Sequence, residues 1–193
     1  MKYVKILGLL AVAAAALMAF AGAASADTAT SPTGTTYTGE IAAEAEGHAV
    51  LDNPIAKIEC ASKVSGTITG HGAGKPVSGP ISSLTFTNCT NEWHVTVVAN
   101  GTLSVDNTGA GINVSSSGAT VEATRFGVVC RYKTENTKVG TLTNSATDTA
   151  LATMHISAAI PFHSGSFLCG EGATTWTGSY KVTKPVPLTI DNN

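Results

Sequence analysis

The sequence predicts an all-β fold: a two-sheet antiparallel sandwich, Greek-key-like and pseudo-duplicated in plan, with a barrel as the other way such strands close. Three observations predict it. Beyond residue 26, apolar and polar residues alternate, and Gly, Asn, Pro and Ser break the runs at short intervals. The 3.6-residue period of an amphipathic helix fits these runs less well than a period of two. Finally, one unit occurs twice. It runs from Cys60 through Gly66-Thr67-Ile68-Thr69 to Phe86-Thr87-Asn88-Cys89 and Trp93, and again from Cys130 through Gly140-Thr141-Leu142-Thr143 to Phe167-Leu168-Cys169 and Trp176. The two copies take up all four cysteines and both tryptophans of the chain.

The elements follow in chain order. Residues 1–26 read as an export signal, with Lys2 and Lys5 before an apolar run and Ala24-Ser25-Ala26 as the small-residue cleavage site. Residues 27–39 are rich in Thr, Pro and Gly and read as a flexible N-terminal arm. Residues 40–193 read as a single β-sandwich domain with two Cys-bounded sub-repeats, over 55–105 and 119–190. In 40–51, Ile41, Ala43, Ala45, Gly47, Ala49 and Leu51 share one face, while Glu40, Glu44 and Glu46 share the other. Trp93, Val95, Val97 and Ala99 form the next inward face, and Asn100-Gly101 is a strong hairpin signal. Strands are expected over 101–105, 112–115, 119–126 and 128–133. In 150–158, Ala152, Met154, Ile156 and Ala158 alternate inward, as do Trp176, Gly178, Tyr180 and Val182 further on. Pro185 and Pro187 flank the last strand, which marks an edge or a closing strap.

Composition narrows the function classes. Charged residues are 12% of the chain and the net charge is −2. Nucleic-acid binding needs a basic stripe, which is missing here, and so is the polybasic patch that anionic membranes attract. An export signal with an even cysteine count points to disulfides and to a secreted, extracellular location, or a periplasmic one in a host with an outer membrane. The repeat favours Cys60–Cys89 and Cys130–Cys169, because each copy then closes on itself. No membrane span is expected once the signal is removed.

Motifs that carry chemistry are sparse. Trp93 and Trp176 are candidates for a sugar-stacking platform, although each opens an alternating run and reads more naturally as core. His71 and Lys75 lie in the glycine-rich stretch 69–79 and complete the set of candidate ligand-binding residues. The five histidines show no ligand spacing, so no metal or other cofactor is expected. Glu40, Glu44 and Glu46 read as a solvated strand face. There is no G-x-S-x-G elbow, and Ser164 and Ser166 beside His163 do not make a triad. Catalysis is therefore not expected.

Several phrases carry a family resemblance: Ile58-Glu59-Cys60, F-T-N-C-T ending at Thr90, G-T-L-T from Gly140, S-G-S-F-L-C ending at Cys169, and W-T-G-S-Y-K-V-T from Trp176. In these the chain resembles secreted bacterial β-rich proteins of unassigned function. More distantly it is similar to the activator-of-alkane-oxidation family, which shares a signal peptide, a C-x-x-x-x-G-T-like run and Thr-rich strands. The resemblance implies export and a β-rich fold, and it brings no catalytic residues. The functional expectation is an exported non-catalytic protein acting by surface association or self-assembly in the extracellular matrix or envelope. Its partners would be itself or cell-surface and matrix polymers. The alternative is a binding module for carbohydrate or a small apolar ligand. A secreted protease inhibitor presenting the 70–79 loop ranks third.

Overall fold

The computed structural model describes residues 26–31, 33–73 and 75–192. The export signal expected over 1–26 lies outside them except for Ala26. The strands begin with β1 (Ala26–Thr30), β2 (Gly39–Ala45), β3 (Ala49–Asn53), β4 (Ala56–Ile68), β5 (Gly70–Ala73) and β6 (Lys75–Thr87). They continue with β7 (His94–Ala99), β8 (Thr102–Asn107), β9 (Ile112–Ser117), β10 (Thr120–Arg125) and β11 (Val128–Lys133). The last are β12 (Thr137–Thr143), β13 (Thr153–Ile160), β14 (Phe162–Gly165), β15 (Thr174–Lys184) and β16 (Thr189–Asn192).

The architecture is a closed eight-strand antiparallel barrel with a second, four-stranded sheet. This corrects the sandwich expectation in favour of the barrel. Going round the wall, the order is β2, β4, β6, β8, β9, β12, β13 and β15, and β15 meets β2 again. β2 and β3 share one place in the wall. β2 lies between Lys63–Ile68 of β4 and Tyr180–Lys184 of β15, and β3 lies between Ala56–Cys60 and Thr175–Thr177 of the same two strands. Residues 46–48 interrupt them, so the run 40–51 that alternates in sequence is one strand in two pieces.

Closing a sheet requires strands to bend, and the repeated Gly-Thr motif supplies two of the bends. Both Gly66 and Gly140 sit at register shifts, against β6 and β9 respectively. A Cβ at Gly66 would collide with the carbonyl oxygen of Pro80, and one at Gly140 with that of His155. Glycine is what lets neighbouring backbones approach this closely. The two repeat units nevertheless occupy different layers. Cys60 is on barrel strand β4 and Trp93 leads into β7 of the second sheet, whereas Cys130 is on β11 of the second sheet and Trp176 is on barrel strand β15.

The barrel is filled by its own side chains. Val77, Val114, Val139, Ile156, Tyr180 and Val182 are all at most 3% exposed. The faces expected for 150–158 and for the Tyr180 run are the faces that point inward. One end is plugged by the segment after Pro187, where Leu188 and Ile190 are buried and β16 pairs with β1. The polar turn after β12 holds this strap: Ser145 Oγ accepts from Leu188 N at 2.9 Å and Asn144 Oδ1 accepts from Ile190 N at 2.8 Å. β1 falls within the stretch read as an arm, and its Ala29 is fully buried, because the strap offers it a strand partner. The four-stranded sheet, in the order β14-β11-β10-β7, covers the other end. There Val121, Ala123 and Tyr132 face Leu51, Phe86, Ile160 and Trp176 across a cavity of about 30 Å³. Disulfides join Cys60 to Cys89 and Cys130 to Cys169, as the repeat implied. Loops of this length are worth about 3–4 kcal/mol each in the chain-entropy view.

Two buried tyrosines set up a paired test. Tyr180 is fully buried and its hydroxyl lies 3.0 Å from Ser62 Oγ, whereas the Tyr132 hydroxyl is buried with no hydrogen-bond partner among the described residues. Tyr180→Phe strands Ser62 and should destabilise the fold by about 1–2 kcal/mol, while Tyr132→Phe should leave stability unchanged or raise it by about 1 kcal/mol. Urea unfolding of both variants checks this, and equal losses would refute it. Burial also holds both phenols above the ordinary tyrosine value, with the Ser62 bond partly opposing this at Tyr180. The native state therefore keeps protons that the unfolded chain loses. Stability should be full below the unfolded tyrosine value of about 10 and should fall as pH rises through the native values. Phenolate absorbance and unfolding, followed together in an alkaline titration, should rise in step.

Candidate functional site

The residues singled out in the sequence do not come together. Trp93 is buried at the entry to β7. Trp176 packs edge-on between Phe86 and Tyr180, at ring-centroid distances of 6.3 and 6.2 Å. Trp93 is buried and Trp176 is partly buried, and both pack against the core. His71 is half-buried on β5, and Lys75 is exposed at the start of β6, beside Asp27 and Asp106. The barrel lumen offers no alternative. Residues of all eight wall strands, with Leu188 and Ile190, enclose a cavity of about 70 Å³, far below the roughly 300 Å³ at which small-molecule sites begin.

The other patterns resolve as structural. The carboxylates of β2 and of Glu46 just after it form a ladder of ion pairs with the neighbouring strands: Glu40 with Lys184 at 2.6 Å, Glu44 with Lys63 at 2.8 Å, and Glu46 with Lys181 at 2.9 Å. His155 Nδ1 lies 3.0 Å from Ser179 Oγ, its cross-strand neighbour, but neither residue lines a cavity described above. Among the described residues, no group of three or more His, Cys, Asp and Glu side chains could hold a metal ion. Among them, too, no helix is long and apolar enough to cross a membrane.

A site does emerge at one end of the four-stranded sheet. Register fixes which residues meet there. His94 opens β7 opposite Thr124, Arg125 ends β10 opposite Val128, and Gly165 ends β14 opposite Cys130. Glu92, His94, Thr124, Arg125, Phe126 and Gly127 line an open depression of about 510 Å³. Phe126 and Gly127 form the two-residue hairpin loop between β10 and β11, with φ of 47° and 79°. That is the left-handed geometry of a tight hairpin turn, which Asn-Gly or Gly-Gly adopts readily and phenylalanine does not.

The unusual backbone is concentrated here. Among the described residues, five non-glycine residues have positive φ: Asn88, Asn91, Glu92, Phe126 and Asn136. Asparagine tolerates this region through local hydrogen bonding. The two that are not asparagine, Glu92 and Phe126, line the same depression. Residues held in such conformations gather at functional sites, because the surrounding structure must over-determine them.

The side chains around the turn are also exceptional. Phe126 is 79% exposed, Phe167 90% and Leu168 49%. The Arg125 guanidinium lies over the Phe126 ring, 4.7 Å from its centroid. The nearby cations Arg131 and Lys133 pair with Glu122 and Glu135, whereas Arg125 has no ion pair among the described residues, and its Nε is buried without a hydrogen-bond partner. Each disulfide anchors one flanking turn. Cys89 caps the short 3-10 turn Thr90–Glu92, and Cys169 closes the turn Phe167–Cys169. The second turn is tied to the sheet by Ser166 N donating to Val129 O at 2.8 Å, and internally by Leu168 N donating to Ser166 Oγ at 3.3 Å.

Sequence reasoning missed this site because it extends the strand 119–126 through Phe126. The available signal was the two-residue gap between the alternating runs of β10 and β11, filled by Phe-Gly where Asn-Gly would be ordinary. Comparison of the chain with family models, curated proteins and solved structures finds no match.

The turn makes a quantitative prediction. Phe126→Asn relieves a left-handed backbone worth about 1 kcal/mol and loses an exposed cation–π contact worth about 0.5 kcal/mol. The variant should be more stable than the parent by about 0.5 kcal/mol in chemical denaturation. A clear loss of stability would show that the exposed ring serves the fold.

Proposed function

We propose that this is an exported, non-catalytic protein that works by associating with a surface through the aromatic end of its four-stranded sheet. The observation that carries the reading is the exposure of Phe126 and Phe167 on two neighbouring turns that hydrogen bonds and a disulfide hold in place. Apolar side chains displayed in this way mark interaction sites, and pre-ordered turns lower the entropy lost on association. The filled barrel supports a scaffold role, since its lumen has no room for a substrate. Two disulfides fit an extracellular setting.

The test compares the disulfide-intact protein with a Phe126→Ser/Phe167→Ser double variant in sedimentation with cell envelopes and with extracellular matrix. The parent should co-sediment, and the variant should bind about tenfold more weakly or worse while unfolding at a similar temperature. Equal binding by the two would refute the reading. Sedimentation velocity of the parent alone separates surface binding from self-association, which the same aromatic end could also drive.

A further inference from the structure

The depression beside Phe126 has the chemistry of a sugar subsite, and its cation specifies the sugar. We propose that it binds a pyranose bearing a carboxylate, as found in uronic-acid polysaccharides. This rests on the surface-association reading and names the polymer that reading requires. A pyranose has an apolar C–H face and a rim of hydroxyls, with a carboxylate projecting from the rim in the acidic sugars. The site offers a counterpart to each part. The Arg125 guanidinium covers one face of the exposed Phe126 ring, and the other face is a flat apolar platform, fixed by its turn so that little freedom is lost when a sugar stacks on it. Glu92 is an acceptor for hydroxyls; Thr124, whose hydroxyl donates to His94 O at 3.4 Å, is a second acceptor, and His94 adds a ring nitrogen.

Arg125 selects the anion. It carries a charge that no carboxylate of the described residues neutralises. Its planar fork matches a carboxylate through two parallel hydrogen bonds. The cations of the adjoining strand β11, Arg131 and Lys133, lie further along it opposite Glu122 and Thr120 and are already paired with glutamates, so the unsatisfied positive charge at the depression is that of Arg125.

A lipid surface fits these residues less well. Recognition of anionic lipid relies on clusters of four or more basic residues, and here a single unpaired arginine stands beside Glu92.

The experiment uses the disulfide-intact protein in calorimetric titrations against polygalacturonate, dextran, dextran sulfate and vesicles of equal parts phosphatidylcholine and phosphatidylglycerol. Polygalacturonate should bind at least about tenfold more tightly than dextran and more tightly than the sulfated polymer. Arg125→Gln should remove that preference, Arg125→Lys should restore part of it, and Phe126→Asn should abolish binding to polygalacturonate while the fold remains intact. The inference is overturned if Arg125→Gln binds as the parent does, if dextran or dextran sulfate binds equally well, or if only the vesicles bind. Envelope sedimentation by the same variants separates the two readings. Phe126-dependent sedimentation without uronan binding defeats the sugar alone. Sedimentation that ignores the Phe126 and Phe167 changes defeats both.

Discussion

Everything in this molecule depends on β15 meeting the β2–β3 pair. A sheet of eight strands closes only if its last strand reaches its first, and the strands must bend sharply to do so. Here glycines at positions 66 and 140 allow the bends by letting one backbone lie almost against the next. Once closed, the wall has no free edges, and its inward side chains meet in the middle. The lumen is therefore core and not a binding cavity. The candidate site is displaced from the largest element of the fold to the smaller sheet that caps it.

That displacement explains what was legible in the sequence. Alternation depends on neighbours in the chain, so the inward faces of β13 and β15 could be read directly, and so could the two disulfides from the repeat. Whether strands form a sandwich or a barrel depends on partners far apart in sequence. The pairing of Tyr180 with Ala45 spans most of the chain, and no local pattern announces it. The repeat was legible as a repetition but not as a placement. Gly66 and Gly140 do the same work, yet Trp93 and Trp176 end in different layers.

The site was the least legible part, for a physical reason. Functional residues tend to violate the local rules from which sequence reasoning proceeds. Phe126 is read as the end of a strand because phenylalanine favours strands and resists the left-handed region. Its place in the hairpin turn depends on that violation. The same holds for Glu92, whose backbone is held by a turn capped by a disulfide cysteine. The tryptophans obey the rules, and they are core.

The divided strand β2–β3 has a consequence of its own. Each piece has its own ladder to β4 and to β15, and between them Glu46 N donates to Ser179 O of β15 at 2.7 Å, so the wall is continuous on both sides of Gly47 and His48. Gly47 lies there with positive φ, and a side chain added to it would meet open space. The barrel thus has a seam: a point where a foreign peptide could be spliced in, or new chain ends made, with the hydrogen-bonded hoop left whole. With the candidate site on the capping sheet, the seam is where evolution or an engineer could add a second module with the wall's pairing kept.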